Sequence, residues 1–259
     1  MLWWLETQET LVIVLIVFTF CYLLAALILV GLAVLSRSPI AGALHVTTPA
    51  MLTPLAVIFG LVIAFLATRV WGNLDHAQAY VVEEASGIRE AVLISSVLPS
   101  DTRDALRKEI ENYLHFVDQV DWPTMLRGQE GLLHQIPSGM PEALTILLSF
   151  VPQQPGQQLA QSHAVTAIEQ VLQARRKRIL LSEAVISMPQ WMVIIVLDAL
   201  VLFTIGTVHA GRYTTAAVNM AIFSTAVASC VVLLMINDRP FNSGGMVIQP
   251  TALRELGSQ

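Results

Sequence analysis

Residues 64–85 read "AFLATRVWGNLDHAQAYVVEEA". An apolar run gives way to a polar one at Arg69, yet the helical pattern does not stop there. Val70, Leu74, Ala77, Val81, Ala85, Ile88 and Val92 recur at steps of three and four, which places them on one face of a helix. No proline intervenes, and Gly72 and Gly87 weaken a helix without ending it. The spacing therefore predicts one long helix that starts in the run Met51–Ala67 and continues to about Val97. Leu98-Pro99-Ser100 stops it, because the residue before a proline is pushed out of the helical region. Such a helix would cross an apolar layer and extend beyond it.

The rest of the chain has the composition that this reading needs. Of its 259 residues 55% are hydrophobic and 13% charged, against about 25% charged in a soluble domain. Mean hydropathy is +0.66. Three more apolar runs accompany Met51–Ala67: Leu11–Leu35, Met188–Val208 and Thr214–Ile236. A hydrocarbon core about 30 Å thick takes about 20 helical residues to cross, so each run reads as a span. The first is read as a retained helix rather than a signal peptide. Met1–Thr10 carries no Lys or Arg, and no small-residue cleavage site follows.

The expected architecture is thus all-α, a polytopic membrane protein with four transmembrane helices. Residues 1–68 form a first membrane hairpin (spans about 11–35 and 51–67), and 69–187 form a helical cytoplasmic domain. Residues 188–237 form a second hairpin (spans about 188–208 and 214–236), and 238–259 a cytoplasmic tail. Four spans put both termini and the middle segment on one side. Arg69 and Arg239 flank spans there, with Arg175, Arg176, Lys177 and Arg178 upstream of the third span; each opposite loop holds one arginine, Arg37 or Arg212. The positive-inside rule makes the richer side the cytoplasm, so the middle segment and both termini are expected there.

The middle segment reads as helical throughout. After the long helix come Asp101–Val120, closed before "DWP" at Asp121–Pro123, then a glycine-rich loop and a short helix Pro141–Phe150. "PQQPGQQ" at 152–158 reads as a linker, and a last helix from Leu159 to about Ser187 leads into the third span. No strand pattern or internal repeat occurs.

Chemistry is mostly absent from this sequence. A net charge of -5 argues against a nucleic-acid surface. Cys21 and Cys230 lie in apolar runs and read as small buried hydrophobes. No two of the six histidines stand at ligand spacing, and no CxxC, HExxH or GxSxG motif occurs, so neither cofactor nor metal nor enzyme activity is expected. "SGG" at 243–245 reads as a turn, and Glu83-Glu84 as a solvated helix face rather than an acid–base pair.

Four segments together carry a resemblance. They are residues 64–85, with a tryptophan after the span and Glu84-Ala85, and "NYLHFVDQVDWPTMLRG" (112–128), with a tyrosine followed by an acidic residue and Trp-Pro. The others are "RRKRILLSEAVISMPQWM" (175–192) and "LLMINDRPFNSGGMVIQPTAL" (233–253), with Asp-Arg-Pro-Phe. In this order they resemble the bestrophin-like membrane proteins of bacteria. Bestrophins are pentameric anion channels with four spans, a cytoplasmic helical region and a pore lined by the second span, so the resemblance implies a homo-oligomeric ion channel. The chain lacks the acidic calcium clasp of bestrophins and their proline-rich start to the pore helix, so calcium gating is not implied. A non-conducting scaffold or accessory subunit, presenting a helical platform to an unidentified protein partner, is the alternative. A transporter ranks third, since no repeat is visible.

Candidate residues follow from position. On the second span Ile58, Val62 and Phe65 would form a hydrophobic constriction, with Arg69, Asn73, His76, Tyr80 and Glu84 as its cytoplasmic mouth. Asp198 stands mid-span in "VIIVLDALVLFT" (193–204), where a carboxylate rarely faces lipid. It is expected to face either the fourth span, which offers Asn219, Thr225 and the small stripe Ala217, Ala221, Thr225 and Ser229, or a subunit interface. Asp238, Arg239 and Phe241 would tie the chain end to the soluble helices, with Glu84 and Arg69 as partners.

Overall fold

The structure, a computed structural model, describes residues 10–36, 49–128, 131–241 and 248–257. The readings for Met1–Glu9, Arg37 and Ser243–Gly245 concern residues outside that set. The described residues are helical, with no strand among them. The helices are α1 (Thr10–Leu35), α2 (Leu52–Ser95), α3 (Ser100–Phe116), α4 (Trp122–Leu126), α5 (Met140–Ser149), α6 (Pro155–Ser182), α7 (Met188–Val208), α8 (Tyr213–Asn237) and α9 (Thr251–Gly257). Among them α1, α2, α7 and α8 are long and apolar enough to cross a membrane. The expected continuity of the second span holds: α2 is one helix of 44 residues, stopped before Pro99.

The chain divides into two compact units, Met1–Gly72 with Val185–Asp238 and Asn73–Ala184 with Arg239–Gln259. In the first, α1 packs on α7 and α8, and α7 on α8. Its core joins Ile13, Val17 and Cys21 of α1 to Phe59, Leu66 and Val70 of α2, Trp191 and Ile194 of α7, and Val227 and Leu234 of α8. At Gly206 a Cβ would collide with the Leu32 side chain, so α1 and α7 approach as closely as glycine allows. Outward, Leu11, Leu15, Leu27 and Ile222 are more than half exposed. Helices apolar all round belong in lipid, where such side chains need no cover.

The second unit is built around α3, α5 and α6, with α5 packed on both others and α9 on α3. The C-terminal half of α2 brings Ala77, Val81, Ala85, Ile88 and Ala91 into its core, on the face that the sequence pattern marks. Gly87 lets α2 close on α6: a Cβ there would stand 2.8 Å from Val171 Cγ2 and 3.2 Å from the Ala167 carbonyl oxygen.

Three boundaries differ from expectation. The helix does not close before Asp121. It passes through a π-helical turn, Val117–Asp121, into α4 without leaving helical backbone angles. The Trp122 N–H reaches back to the Val117 carbonyl, so Pro123, which has no N–H, falls in the first turn of a new helix where none is needed. The 152–158 linker is shorter than composition suggests, because α6 starts at Pro155, whose fixed φ suits a first helical position. α6 also ends early, at Ser182. Ser187 then opens α7, its N–H donating to Gln190 Oε1 at 2.9 Å in a capping box.

Candidate functional site

Along the apolar N-terminal half of α2, side chains sort by face. Phe59, Leu66 and Val70 are buried, whereas Ile58 is 49% and Phe65 66% exposed, with Val62 between them and packed against the core. Leu61 joins the open face at 53%, a residue that its spacing alone did not single out. A helix turns about 100° per residue, so Ile58, Leu61, Phe65 and Arg69 lie in one row. Arg69 follows Phe65 by one turn and is exposed, and its guanidinium donates to Gln190 Oε1 at 3.0 Å and to the Val185 carbonyl at 3.4 Å.

In the second unit the expected mouth residues separate. His76 is exposed and stacks on half-buried Tyr80, ring centroids 6.1 Å apart; Asn73 is half-buried. Lys177 lies over the Tyr80 ring at 5.3 Å and pairs with Glu83 at 3.1 Å. Glu84 does not belong to this surface. It is fully buried, which corrects both its place in the mouth and the reading of Glu83-Glu84 as one solvated face. Adjacent helical positions point about 100° apart, so one glutamate faces out and the next in.

Glu84 enters a buried polar cluster. Arg178 Nε donates to Glu84 Oε2 at 2.7 Å and Arg178 Nη2 to Glu84 Oε1 at 3.0 Å, a two-pronged pair. Arg178 Nη2 also reaches Asp121 Oδ2 at 3.2 Å, and Arg175 grips Asp121 from the other side at 2.8 and 2.9 Å. Tyr113 Oη donates to Glu84 Oε1 at 2.6 Å. Two arginines face two carboxylates, so the cluster is neutral overall. Burial works against the Arg178 charge, but the Glu84 carboxylate and its hydrogen bond hold the pKa of that guanidinium above its ordinary value. Burial and then the Glu84 charge push the Tyr113 hydroxyl well above 10.0. Trp122 completes the cluster, with Arg178 Cζ over its ring at 5.3 Å and Phe241 edge-on at 5.5 Å. Each carboxylate oxygen of the cluster already has its donor.

Asp198 is buried at 3% exposure, and its Oδ1 finds no partner among the described residues. The contacts expected from α8 form elsewhere. Asn219 bonds His209 Nε2 at 3.1 Å, and Thr225 shares a hydrogen bond with Tyr22 of α1 at 2.8 Å. Asn219 is thereby held at the α7–α8 turn. His209 stands eleven residues beyond Asp198, or about 16 Å along a helix, so depth alone separates the pair.

At the chain end, Asp238 accepts the Ile186 N–H at 3.0 Å on both oxygens, within the first unit. In the second unit Phe241 is buried against Trp122. The expected partners are engaged otherwise, Glu84 with Arg178 and Arg69 with Gln190. Arg239 also makes an interaction of its own.

A family model described as a bestrophin-like domain matches residues 13–253. The chain belongs to the bestrophin-like family. Among solved structures, this bestrophin-like chain is similar to point variants of a bacterial bestrophin homologue from Klebsiella pneumoniae. One is 13% identical with a TM-score of 0.67, over 93% of this chain and 96% of that one. Another is 10% identical with a TM-score of 0.68, over 94% and 95%. At such identity the likeness is one of fold. No curated protein matches. The four resembling segments supply most of the buried cluster: Glu84, Tyr113, Asp121, Trp122, Arg175, Arg178 and Phe241. In this bestrophin-like protein, the residues that carry the resemblance hold the second unit together.

Proposed function

We propose that this bestrophin-like protein assembles as a closed ring of copies, five by family analogy, and conducts ions, anions by preference, along a central path lined by α2. The observation that carries the reading is the row Ile58, Leu61, Phe65 and Arg69. Its three apolar members lie uncovered in the single chain, while the opposite face of α2 is packed. A ring gives that row a common axis to face. Repeated around it, Ile58, Leu61 and Phe65, with part-covered Val62 at their edge, narrow the path to a hydrophobic constriction that gates by dewetting. Arg69 puts positive charge at the inner end and draws anions. The second unit and both termini then lie in the cytoplasm of a bacterial cell, with the protein in its inner membrane. Asn73, His76 and Tyr80 continue the path on the cytoplasmic side.

Purified protein in planar bilayers tests this. Ion currents are expected, and Val62→Ala or Phe65→Ala should increase them by widening the constriction. Intact rings that carry no current, with either variant equally silent, would favour the non-conducting scaffold.

A further inference from the structure

A half-open cavity of about 190 Å³, with half-exposed Phe20 in its lining, lies among α1, α7 and α8 in the first unit. The proposed conduction path makes no use of it. Its walls are apolar, Val17, Ile194, Val227 and Val231 among them, and Asp198 and Trp191 line it too. Asp198 Oδ1 and Trp191 Nε1 are both buried without a hydrogen-bond partner among the described residues. Both residues are more than nine-tenths buried. Seven positions apart on α7, they lie on the same helix face about 10 Å from one another.

These observations define what would fit. An unpaired carboxylate at membrane depth costs about 2.5–3.5 kcal/mol on insertion scales, and a cation beside it removes that cost. An unpaired indole N–H requires an acceptor. The walls favour an apolar body, and the volume exceeds the ~150 Å³ of an apolar cavity that takes benzene. Water satisfies such a site poorly, because each buried water seeks about three polar partners and these walls offer few. We propose that this cavity binds a compact lipophilic ammonium, its N–H groups on Asp198, its ring among the aliphatic walls and an ether or carbonyl oxygen on Trp191. The site is independent of whether the protein conducts.

The test uses the full chain in lipid nanodiscs, with calorimetric titration of 2-phenylethylamine against the neutral isostere 2-phenylethanol at pH 7, each corrected with empty nanodiscs. A charge-assisted hydrogen bond predicts that the amine binds at least about tenfold tighter than the alcohol. Asp198→Asn should erase that preference, and Val231→Phe, which fills the cavity, should abolish amine binding. A para-methoxy group on the amine should tighten binding further, and Trp191→Phe should remove only that gain. Equal affinity for amine and alcohol would overturn the proposal. So would a preference that survives Asp198→Asn, or binding that survives Val231→Phe. No gain from the methoxy group would overturn the role given to Trp191. Should Asp198→Asn fail to assemble, the amine–alcohol comparison and Val231→Phe still decide.

Discussion

Arg178 meets Glu84 across 94 positions of sequence, with Nε on one carboxylate oxygen at 2.7 Å and Nη2 on the other at 3.0 Å. Both side chains are wholly buried. The same guanidinium extends to Asp121, so α6 is fastened to α2 and to the π-helical turn through one residue.

Removing Arg178 should therefore be costly out of proportion to its size. Arg178→Ala leaves Glu84 with only the Tyr113 hydroxyl and Asp121 with only Arg175. Breaking a buried ion pair by deleting one partner costs about 3–5 kcal/mol. Arg178→Lys should recover little, since an ammonium cannot reproduce the fork. Thermal melts of the purified protein, followed by tryptophan fluorescence, will show whether lysine fails as expected.

Tyr113 gives the cluster an alkaline limit. Its folded pKa is raised above the ordinary 10.0 by burial and the Glu84 charge. A raised pKa means that the folded state holds the proton when the unfolded state releases it. The associated stability is thus full below 10.0 and falls as pH rises toward the folded value. Tyr113→Phe removes a hydrogen bond to a charged group, so it should cost about 1.5–3 kcal/mol at pH 8. It should also flatten the alkaline limb. Melting temperatures from pH 8 to 11, natural chain against variant, should converge; parallel curves would contradict the assignment.

Asp238 holds the segment that leads into α7. Asp238→Ala would leave the buried Ile186 N–H without its acceptor, a loss of about 1–3 kcal/mol. Asp238→Asn keeps one acceptor oxygen and should lose less. Hydrogen exchange at the Ile186 amide reads the difference directly: fast in the alanine variant, slowed in the asparagine one.

Gly87→Ala is a small substitution in a crowded place. Its Cβ would press on Val171 and on the Ala167 carbonyl, and backbone cannot move aside as a side chain can. Overpacking of this kind costs about 1–3 kcal/mol. At Gly72, where nothing stands within 4 Å, the same change should be neutral or mildly stabilising through helix propensity. Chemical denaturation of the two variants side by side gives the comparison.

The four long apolar helices and the continuity of α2 were legible because apolar length and three-to-four spacing are local signals. The π-helical turn was not legible: Trp-Pro reads as a stop, and only the surrounding packing carries the helix through it. The buried cluster left a signal that was overlooked. The stripe Ala160, Ala164, Ala167, Val171, Ala174 and Arg178 keeps one spacing to the end, so strict periodicity would have put Arg178 inside. The run Arg175, Arg176, Lys177 and Arg178 instead counted only as positive charge beside the third span. Asp198 was legible as an anomaly, but its neighbours depend on helix depth and rotation. Those are set by contacts such as Asn219–His209 and Tyr22–Thr225, which no single helix encodes.

If the protein conducts as proposed, the Ile58–Phe65 face of α2 lines a water-filled path, and a thiol placed on that face must be reachable from water. Phe65→Cys, made in a Cys230→Ala background so that the exposed native thiol is gone, tests this in a planar bilayer. A charged, membrane-impermeant thiol reagent should reduce the current irreversibly. Leu15→Cys on α1, equally exposed but read as facing lipid, should leave the current unchanged under the same treatment. Currents from the Phe65→Cys variant that the reagent leaves untouched, or no current from intact rings, would contradict a path lined by α2.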